Sequence, residues 1–328
     1  MADVARAAGV SKQTVSRVLN GTGSTSAATT AHIERLIRDL GYRPSGVARS
    51  LATNSSLTLG LIVPALDNPY YAEVAQGAEL AAWEGGYNLL LSNVFHDSLR
   101  EEAALRSLQD RGADGVILDT PRLPDARLFA LLDAFKAAVV TGRTVPPEVA
   151  GSIVVDDAAG ITLALRRLAA AGRRRIAFLA APERFASSRV RREAFVRAET
   201  ERGTFSPERV LSAEASPEAS YQRIRHSGAG GEFDALLCFN DVMAAGALRA
   251  LHDAGVGVPD EVAVVGHDDI PMAAWLHPPL STLHISKQAL GVSAVRLLLE
   301  RLGGHIRPLQ TVLTPDLTVR GSTGTLPE

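Results

Sequence analysis

Residues 10–21 read VSKQTVSRVLNG, and the fold of the N-terminal part turns on them. Val10, Val15, Val18 and Leu19 recur at helical spacing, Lys12, Gln13, Thr14, Ser16 and Arg17 occupy the other faces, and Asn20-Gly21 ends the run. Ser11 is a good N-cap, so the spacing predicts a helix over 12–19. Working outward, Ala2 to Ala8 forms another helical run stopped by Gly9, and a third extends from about Ala28 to Leu40 before Gly41. A Gly-Val-Ser turn between two short helices is the sequence form of a helix-turn-helix, whose second helix lies in the major groove of DNA.

The side chains suit that place. Lys12 can donate to guanine O6/N7, Gln13 can bond adenine bidentately, and Arg17, one turn on, can reach a guanine or a phosphate. Ser11, Thr14, Ser16 and Asn20 suit phosphate contacts, which fix register without reading sequence. A capped surface helix with no such role fits this window equally well when it is taken alone.

Charge placement bears on the choice. The 328 residues carry a formal net charge of −2, yet residues 1–51 hold seven arginines and lysines (Arg6, Lys12, Arg17, Arg35, Arg38, Arg43, Arg49) against Asp3, Glu34 and Asp39. A head of +4 therefore sits on a remainder of −6, the asymmetry expected when one part meets a polyanion and the other does something else. The 46% hydrophobic content fills ordinary α/β cores, and the length suits two or three domains. Cys238 is the only cysteine, which excludes an intramolecular disulfide and fits a reducing compartment. The longest apolar run, Leu57 to Leu66, is too short and interrupted to span a bilayer, and the N-terminus lacks a signal-peptide core, so a soluble cytoplasmic protein without membrane contact is expected.

Pro44 breaks the helical pattern, and SGVARSLATNSS (45–56) follows as a polar connector with one further helical turn, Val47 to Leu51. From Leu57 short apolar strands alternate with amphipathic helices: LTLGLIV then Ala72 to Glu84, YNLLLSN then Arg100 to Arg111, GVIL then a helix near Phe129, AAVVT and SIVV then Asp157 to Ala171. RIAFLA, Val190 to Glu201, RVLSA, ALLCF, Asp241 to Ala254, VAVVGH and Ser286 to Leu302 continue the rhythm. About ten strands in roughly 270 residues predict two parallel sheets with helices on both faces. No repeat of fixed period is present.

DVARAAGVSKQTVSRVLNG (3–21), LGYRPSGVARSL (40–51) and GLIVPALDNPYYAEVAQGAE (60–79) together resemble the LacI/GalR family of bacterial transcriptional regulators, in the right order over nearly the whole chain. The resemblance implies an all-α helix-turn-helix head (1–44), a hinge with a short helix (45–57), and an α/β two-lobed body similar to periplasmic binding proteins (58–328). The N-lobe would comprise about 58–156 and 286–313, the C-lobe about 157–285 and 314–328. It further implies that Val47 to Leu51 folds as a hinge helix only when two subunits sit side by side on DNA. Leu51 would then wedge into the minor groove, with Tyr42 and Ala48 among the DNA contacts. A five-residue helix is unstable alone, so its folding is coupled to partner and duplex, and the cost of unstacking is offset by contacts that the bend permits. Two departures stand out. Relatives carry residues ahead of the Asp3 position, including a threonine that caps the first helix, so either that cap is missing or the start lies upstream of Met1. Ser45 and Thr30 replace a frequent asparagine and arginine, which weakens phosphate contacts there.

A two-lobed body places its ligand between lobes, at the carboxyl ends of the strands. The polar residues there are Asp67-Asn68-Pro69-Tyr70-Tyr71, Asn240-Asp241 and His267-Asp268-Asp269. The resemblance selects Arg191, Asn240 and Asp268 as polar contacts to an effector, Tyr70, Tyr71 and Trp275 as pocket lining, and Phe185 and Ser187 from a loop. Asp67 replaces a small polar residue of relatives and either alters ligand choice or caps the next helix. Each residue has a plainer reading: Asn240 and above all Asp241 as helix caps, the tyrosines as packing, and Arg191 as one cation of a solvated face with Arg189 and Arg192. Carboxylate, amide and guanidinium beside an aromatic face suit a sugar.

Catalysis is not expected. There is no Walker loop, no metal-ligand cluster and no Gly-x-Ser-x-Gly elbow; GVGVPDE (255–261) precedes a strand instead of following one; and His267 beside Asp268 and Asp269 reads as a binding loop before it reads as an acid/base set. No cofactor or metal is expected. The expected partners are an inverted-repeat operator in double-stranded DNA, a sugar-like effector, and a second copy in a homodimer or a tetramer, with Ala72 to Glu84 and Arg100 to Arg111 as dimer surface. The expected function is repression of carbohydrate-utilisation genes. The alternative is a small-molecule sensor or solute-binding protein whose N-terminal helices dock a protein partner.

Overall fold

A computed structural model describes residues 1–20, 25–42, 55–227, 232–305 and 310–325. The chain divides into two compact units, Met1–Leu57 and Thr58–Glu328.

The first unit contains α1 (Ala2–Ala8), α2 (Lys12–Asn20) and α3 (Ala27–Asp39). Gly9 closes α1 at φ 65°, the left-handed conformation that lets the chain turn sharply into α2. Ser11 Oγ accepts from Thr14 N at 3.1 Å, and Ser26 Oγ accepts from Thr29 N at 3.1 Å, so α2 and α3 are both capped by serine. Helix α1 begins at Met1 with no side-chain cap. Val4, Val15 and Ile33, one from each helix, are fully buried together. So small a core holds because every helix contributes to it. The hinge turn Val47 to Leu51 and residues Ser45, Ala48 and Leu51 lie outside the described residues, as does the side chain of Asn20.

The second unit carries two six-stranded sheets. One has the order β11-β5-β4-β3-β1-β2, built from β1 (Thr58–Val63), β2 (Asn88–Asn93), β3 (Gly115–Asp119), β4 (Ala137–Thr141), β5 (Gly151–Val155) and β11 (Thr311–Leu313). The other has the order β12-β10-β9-β8-β6-β7, built from β6 (Ile176–Ala180), β7 (Val210–Ser212), β8 (Ala235–Cys238), β9 (Ala263–Asp268), β10 (Ser281–His284) and β12 (Asp316–Thr318). Every pairing is parallel except β10 with β12. Central strands such as β3, β4 and β6 are buried along their whole length, as helices on both faces require.

Helices α4 (Pro69–Glu84), α5 (Ser98–Asp110) and α6 (Asp125–Leu132) belong to the first lobe, and α7 (Asp157–Ala170), α8 (Ala186–Glu201), α9 (Pro217–Arg225) and α10 (Asp241–Asp253) to the second. Helix α11 (Lys287–Leu302) returns to the first and packs on α4. That packing is backbone on backbone: a Cβ on Gly77 would stand 2.0 Å from the Gln288 carbonyl oxygen, and one on Gly291 2.1 Å from that of Val74. The chain therefore crosses between lobes three times, after β5, β10 and β11.

Several elements differ from the sequence reading. There are twelve described strands where about ten were expected, because β10, β11 and β12 are only three or four residues long. Helix α9 has no counterpart among the expected elements; Ser216 caps it and Pro217 occupies its first position. Helices α4 and α8 begin three to four residues earlier than the apolar periodicity indicates, at Pro69 and Ala186.

Candidate functional site

In the first unit, Ser11, Lys12, Gln13 and Arg17 are exposed on α2, while Thr14 and Ser16 are half-buried. The Ser11 hydroxyl is engaged in the cap and lies 3.0 Å from Thr14 Oγ1. Tyr42 packs against the head's core. The first turn of α2 thus offers an amine and an amide, with Arg17 further along the helix, on a scaffold fixed by buried valines and isoleucine.

In the second unit, the carboxyl ends of both sheets face a cleft with two chambers. The inner one, about 70 Å³, is lined by Tyr70, Tyr71, Asp157, Arg191, Asn240 and Asp268 among others. Arg191 is only 7% exposed. Its Nε donates to Asp157 Oδ1 at 3.0 Å, Nη2 lies 3.0 Å from the same oxygen, Nη1 donates to the Phe239 carbonyl, and the guanidinium lies 4.7 Å from the Phe239 ring. Burial opposes charge on Asp157, but Arg191 and then His267 outweigh it and hold its pKa below the usual value.

His267 lies within β9, wholly buried, between two carboxylates: Nδ1 is 3.0 Å from Asp268 Oδ1, and Nε2 is 3.2 Å from Asp157 Oδ1, close enough to attract but off the direction of a good hydrogen bond. Burial and Arg191 push its pKa down; the two aspartates more than compensate and raise it. Asp268 ends the strand at φ 107° and Asp269 follows at φ 51°, both in the left-handed region that non-glycine residues avoid. Lys287 Nζ donates to both their carbonyl oxygens, at 2.6 and 2.5 Å, and lies 3.6 Å from Glu73 Oε2. A buried ammonium at the start of α11 thus holds the bend that aims Asp268 at the chamber.

The outer chamber, about 450 Å³, is lined by Asp67, His96, Arg122, Arg184, Phe185 and Glu214 with neighbours that include Tyr71, Ser187, Phe239 and Asn240. Arg122 Nη2 bonds His96 Nδ1 at 3.0 Å, and Arg184 forms a bidentate pair with Glu214. Phe185 is buried beneath both guanidiniums, 4.6 and 4.9 Å away, with the His96 ring at 5.0 Å.

Of the residues picked out in the sequence, Asp67, Tyr70, Tyr71, Phe185, Ser187, Arg191, Asn240 and Asp268 all line one or both chambers. Tyr70 and Tyr71 meet edge to face at 5.0 Å, and Tyr70 packs against the cores of both lobes. Arg191 parts from its neighbours: Arg189 is exposed and Arg192 pairs with Glu183 at the surface. Ser187 lies in α8, not in a loop. Trp275 is a correction. It is 84% exposed on the 3-10 turn Pro271–Trp275 and lines neither chamber. A second correction concerns the cap of α10: Asn240 Oδ1 accepts from Met243 N at 2.9 Å, whereas Asp241 is buried and accepts from Thr282 Oγ1 at 2.6 Å and Ile270 N at 2.8 Å. Burial first, and then Asp268, raise the Asp241 pKa to about 7.

Sequence reading missed His96, Arg122, Arg184 and Asp157 as cleft residues. The first three come from loops without periodic pattern. Asp157 was read only as the start of a helix, although its place after β5 is the strand-end signal used elsewhere. His267 was read as a loop residue and is instead the buried link between Asp157 and Asp268. Among the described residues no group of three or more His, Cys, Asp or Glu could hold a metal ion, and no helix is long and apolar enough to cross a membrane.

Residues 1–45 match the model of bacterial regulatory proteins of the lacI family, and residues 165–323 match that of a periplasmic binding protein-like domain. The chain is 34% identical over 328 residues to the transcriptional repressor PurR of Haemophilus influenzae (strain PittEE), covering 98% of this chain and 97% of that one. The chain belongs to the lacI family. It is 30% identical to the regulator GalR of Escherichia coli (strain K12), over 98% of this chain and 95% of that one. The lac repressor dimer bound to operator and the anti-inducer ONPF superposes with a TM-score of 0.88 at 29% identity over 98% of both chains. The regulator CelR in complex with cellobiose gives 0.74 at 30% identity, over 97% of this chain and 98% of that one. As a lacI-family member the protein is a DNA-binding, ligand-responsive regulator of transcription, not an enzyme. Its helix-turn-helix head and two-lobed α/β body are the family's architecture.

Proposed function

We propose that this regulator represses carbohydrate-utilisation genes by binding a palindromic operator as a homodimer, and that a small polyhydroxylated effector in the inter-lobe cleft switches it. The observation that carries the effector reading is the inner chamber itself: Arg191, Asp268 and Asn240 converge there beside two tyrosines. The buried guanidinium is already neutralised by Asp157, so the chamber offers fixed hydrogen-bonding groups with little unbalanced charge, which suits hydroxyls. Lys12, Gln13 and Arg17 would read the half-site, with Ser11, Thr14, Ser16, Asn20, Tyr42 and Ala48 on the backbone and Leu51 as the minor-groove wedge.

The dimer is supported by apolar side chains that the body leaves exposed. Leu80 and Trp83 on α4 are 54% and 72% exposed, with Leu90 and Leu91 on the neighbouring β2, and Met272 and Trp275 at 56% and 84% on the other lobe. Large exposed apolar groups mark association surfaces. Helix α4 is one of the two segments expected to pair.

The test is selection of bound duplexes from random DNA, followed by titration of the selected operator with a panel of sugars. An inverted repeat released by one sugar is the expected result. Arg191→Ala should abolish the response to effector while leaving operator affinity in its absence within about threefold, and Leu51→Ala should weaken operator binding while leaving effector affinity unchanged. Loss of both activities in both variants overturns the division of labour. A coupling of about 1–3 kcal/mol would change operator affinity roughly 5- to 150-fold.

A further inference from the structure

Among the described residues, the outer chamber holds a guanidinium that no carboxylate bonds, which the inner one does not. Arg122, after β3, and Arg184, before α8, approach the Phe185 ring from opposite lobes, at 4.6 and 4.9 Å. Arg184 is matched by the two oxygens of Glu214. Arg122 has no carboxylate within hydrogen-bond distance among the described residues: its Nη2 is on the His96 ring, and its Nε is buried without a partner. Glu101, beneath the loop, is engaged by the backbone N–H groups of Arg122 and Leu123. Asp67 and Glu218 line the chamber but are exposed. Glu101 and Asp119 act on this guanidinium through space, but none of its N–H groups is bonded to a carboxylate among the described residues, and a largely desolvated guanidinium in that state beside a cavity carries a cost that a ligand can lower.

We propose that the effector carries an anionic group, a carboxylate or a phosphate, received in the outer chamber by Arg122 with Arg184 beside it. The inference rests on reading the cleft as the effector site. The ligand lies with hydroxyls toward Arg191 and Asp268, where the guanidinium is already paired with Asp157, and with its anion toward Arg122, whose guanidinium no carboxylate bonds. About 70 Å³ of inner space holds only part of a sugar, and the 450 Å³ beyond takes the charged substituent. Planar donors on two lobes suit an oxyanion, because one such group bonds both and draws the lobes together.

His96 makes the idea readable. Burial first, then Arg122, hold its pKa down at about 4, with Arg184 adding to the effect and Asp67 opposing it. A bound anion offsets the part due to the two guanidiniums and so raises the His96 pKa, while the part due to burial remains. A neutral ligand brings no such rise.

The experiment titrates the full-length protein with hexoses, the matching hexuronates and hexose 6-phosphates, and inorganic phosphate as the minimal probe. Calorimetry between pH 5.5 and 7.5 is paired with imidazole NMR, the His96 signal being assigned with His96→Gln. The expected result is that charged members bind about 10- to 100-fold tighter than their neutral partners, with the His96 resonances shifting on binding of the charged members and not of the neutral ones. Preference for hexuronate or for hexose phosphate identifies the source of the anion. Arg122→Met and the surface variant Arg184→Met should each erase the preference; the second guards against a folding defect in the first. If a neutral sugar binds and releases operator as well as its charged partner, the proposal falls and the cleft reading stands. If neither phosphate nor any charged member moves His96, the proposal falls. If in addition no sugar shows binding that Arg191→Ala removes, the cleft reading falls with it.

Discussion

His267 and Asp157, from β9 and the first turn of α7, come within 3.2 Å of each other at the floor of the cleft, and neither is more than 8% exposed. The contact joins the residue that begins the first crossover helix to the strand whose end aims Asp268.

A histidine buried between two carboxylates that raise its pKa makes stability depend on pH. The folded pKa of His267 is raised above 6.5. Its contribution is therefore complete below pH 6.5 and declines as pH rises through the higher folded value. His267→Gln should cost about 3 kcal/mol at pH 6 and flatten stability above pH 6.5, as read by urea unfolding at a series of pH values. An unchanged pH profile would mean that the histidine is neutral in the fold.

Asp119 gives a second, separable signal. Burial raises its pKa to about 6 from the ordinary 3.8, against Thr141, whose hydroxyl donates to Oδ1 at 2.6 Å, while Oδ2 has no partner. The folded chain holds this proton where the unfolded chain has lost it, so stability falls as pH climbs from 3.8 to 6, by on the order of 3 kcal/mol. Asp119→Asn should remove that slope and leave the protein more stable at pH 7. The same unfolding series checks it.

On the head, Lys12→Ala should cost about 1–3 kcal/mol in operator affinity and relax preference at one base position. If Arg17 instead holds a phosphate, Arg17→Ala should weaken binding to all duplexes alike and reduce the salt slope by about one. Fluorescence anisotropy at several salt concentrations, on selected and scrambled duplexes, separates the two patterns.

Trp275 and Trp83 should matter to assembly and not to ligand. Trp275→Asp and Trp83→Asp are expected to shift sedimentation toward the monomer and, through it, to weaken operator binding, while effector affinity measured by calorimetry stays within about twofold. A tight dimer in both variants would place the interface elsewhere.

The α/β body was legible because its strands are continuous apolar runs and its helices are amphipathic, signals that survive without tertiary knowledge. The head was legible for the same reason plus its caps: Gly9, Ser11 and Ser26 mark boundaries by chemistry local to the chain. Polar residues at strand ends, such as Asn240 and Asp268, stood out because an apolar strand makes its exit conspicuous. His96, Arg122 and Arg184 did not, since they meet around Phe185 only after two lobes close on one another, and no periodicity encodes that. Trp275 misled because the family resemblance places a pocket-lining residue there, while its exposure is set by which face of a short 3-10 turn it occupies. His267 shows the opposite failure. A strand's last-but-one position is buried, and only the aspartates that meet it from either side in the fold reveal why its pKa is raised there.

Gly77 and Gly291 let α4 and α11 touch without intervening side chains. Helices locked in this way cannot slide, so the lobe that contains them must travel as a block. Any swing that opens the cleft has to be absorbed at three narrow straps, beside Asp156, Ile285 and Pro315, and a stiffer residue placed in one of them would slow the swing without altering what the cleft recognises.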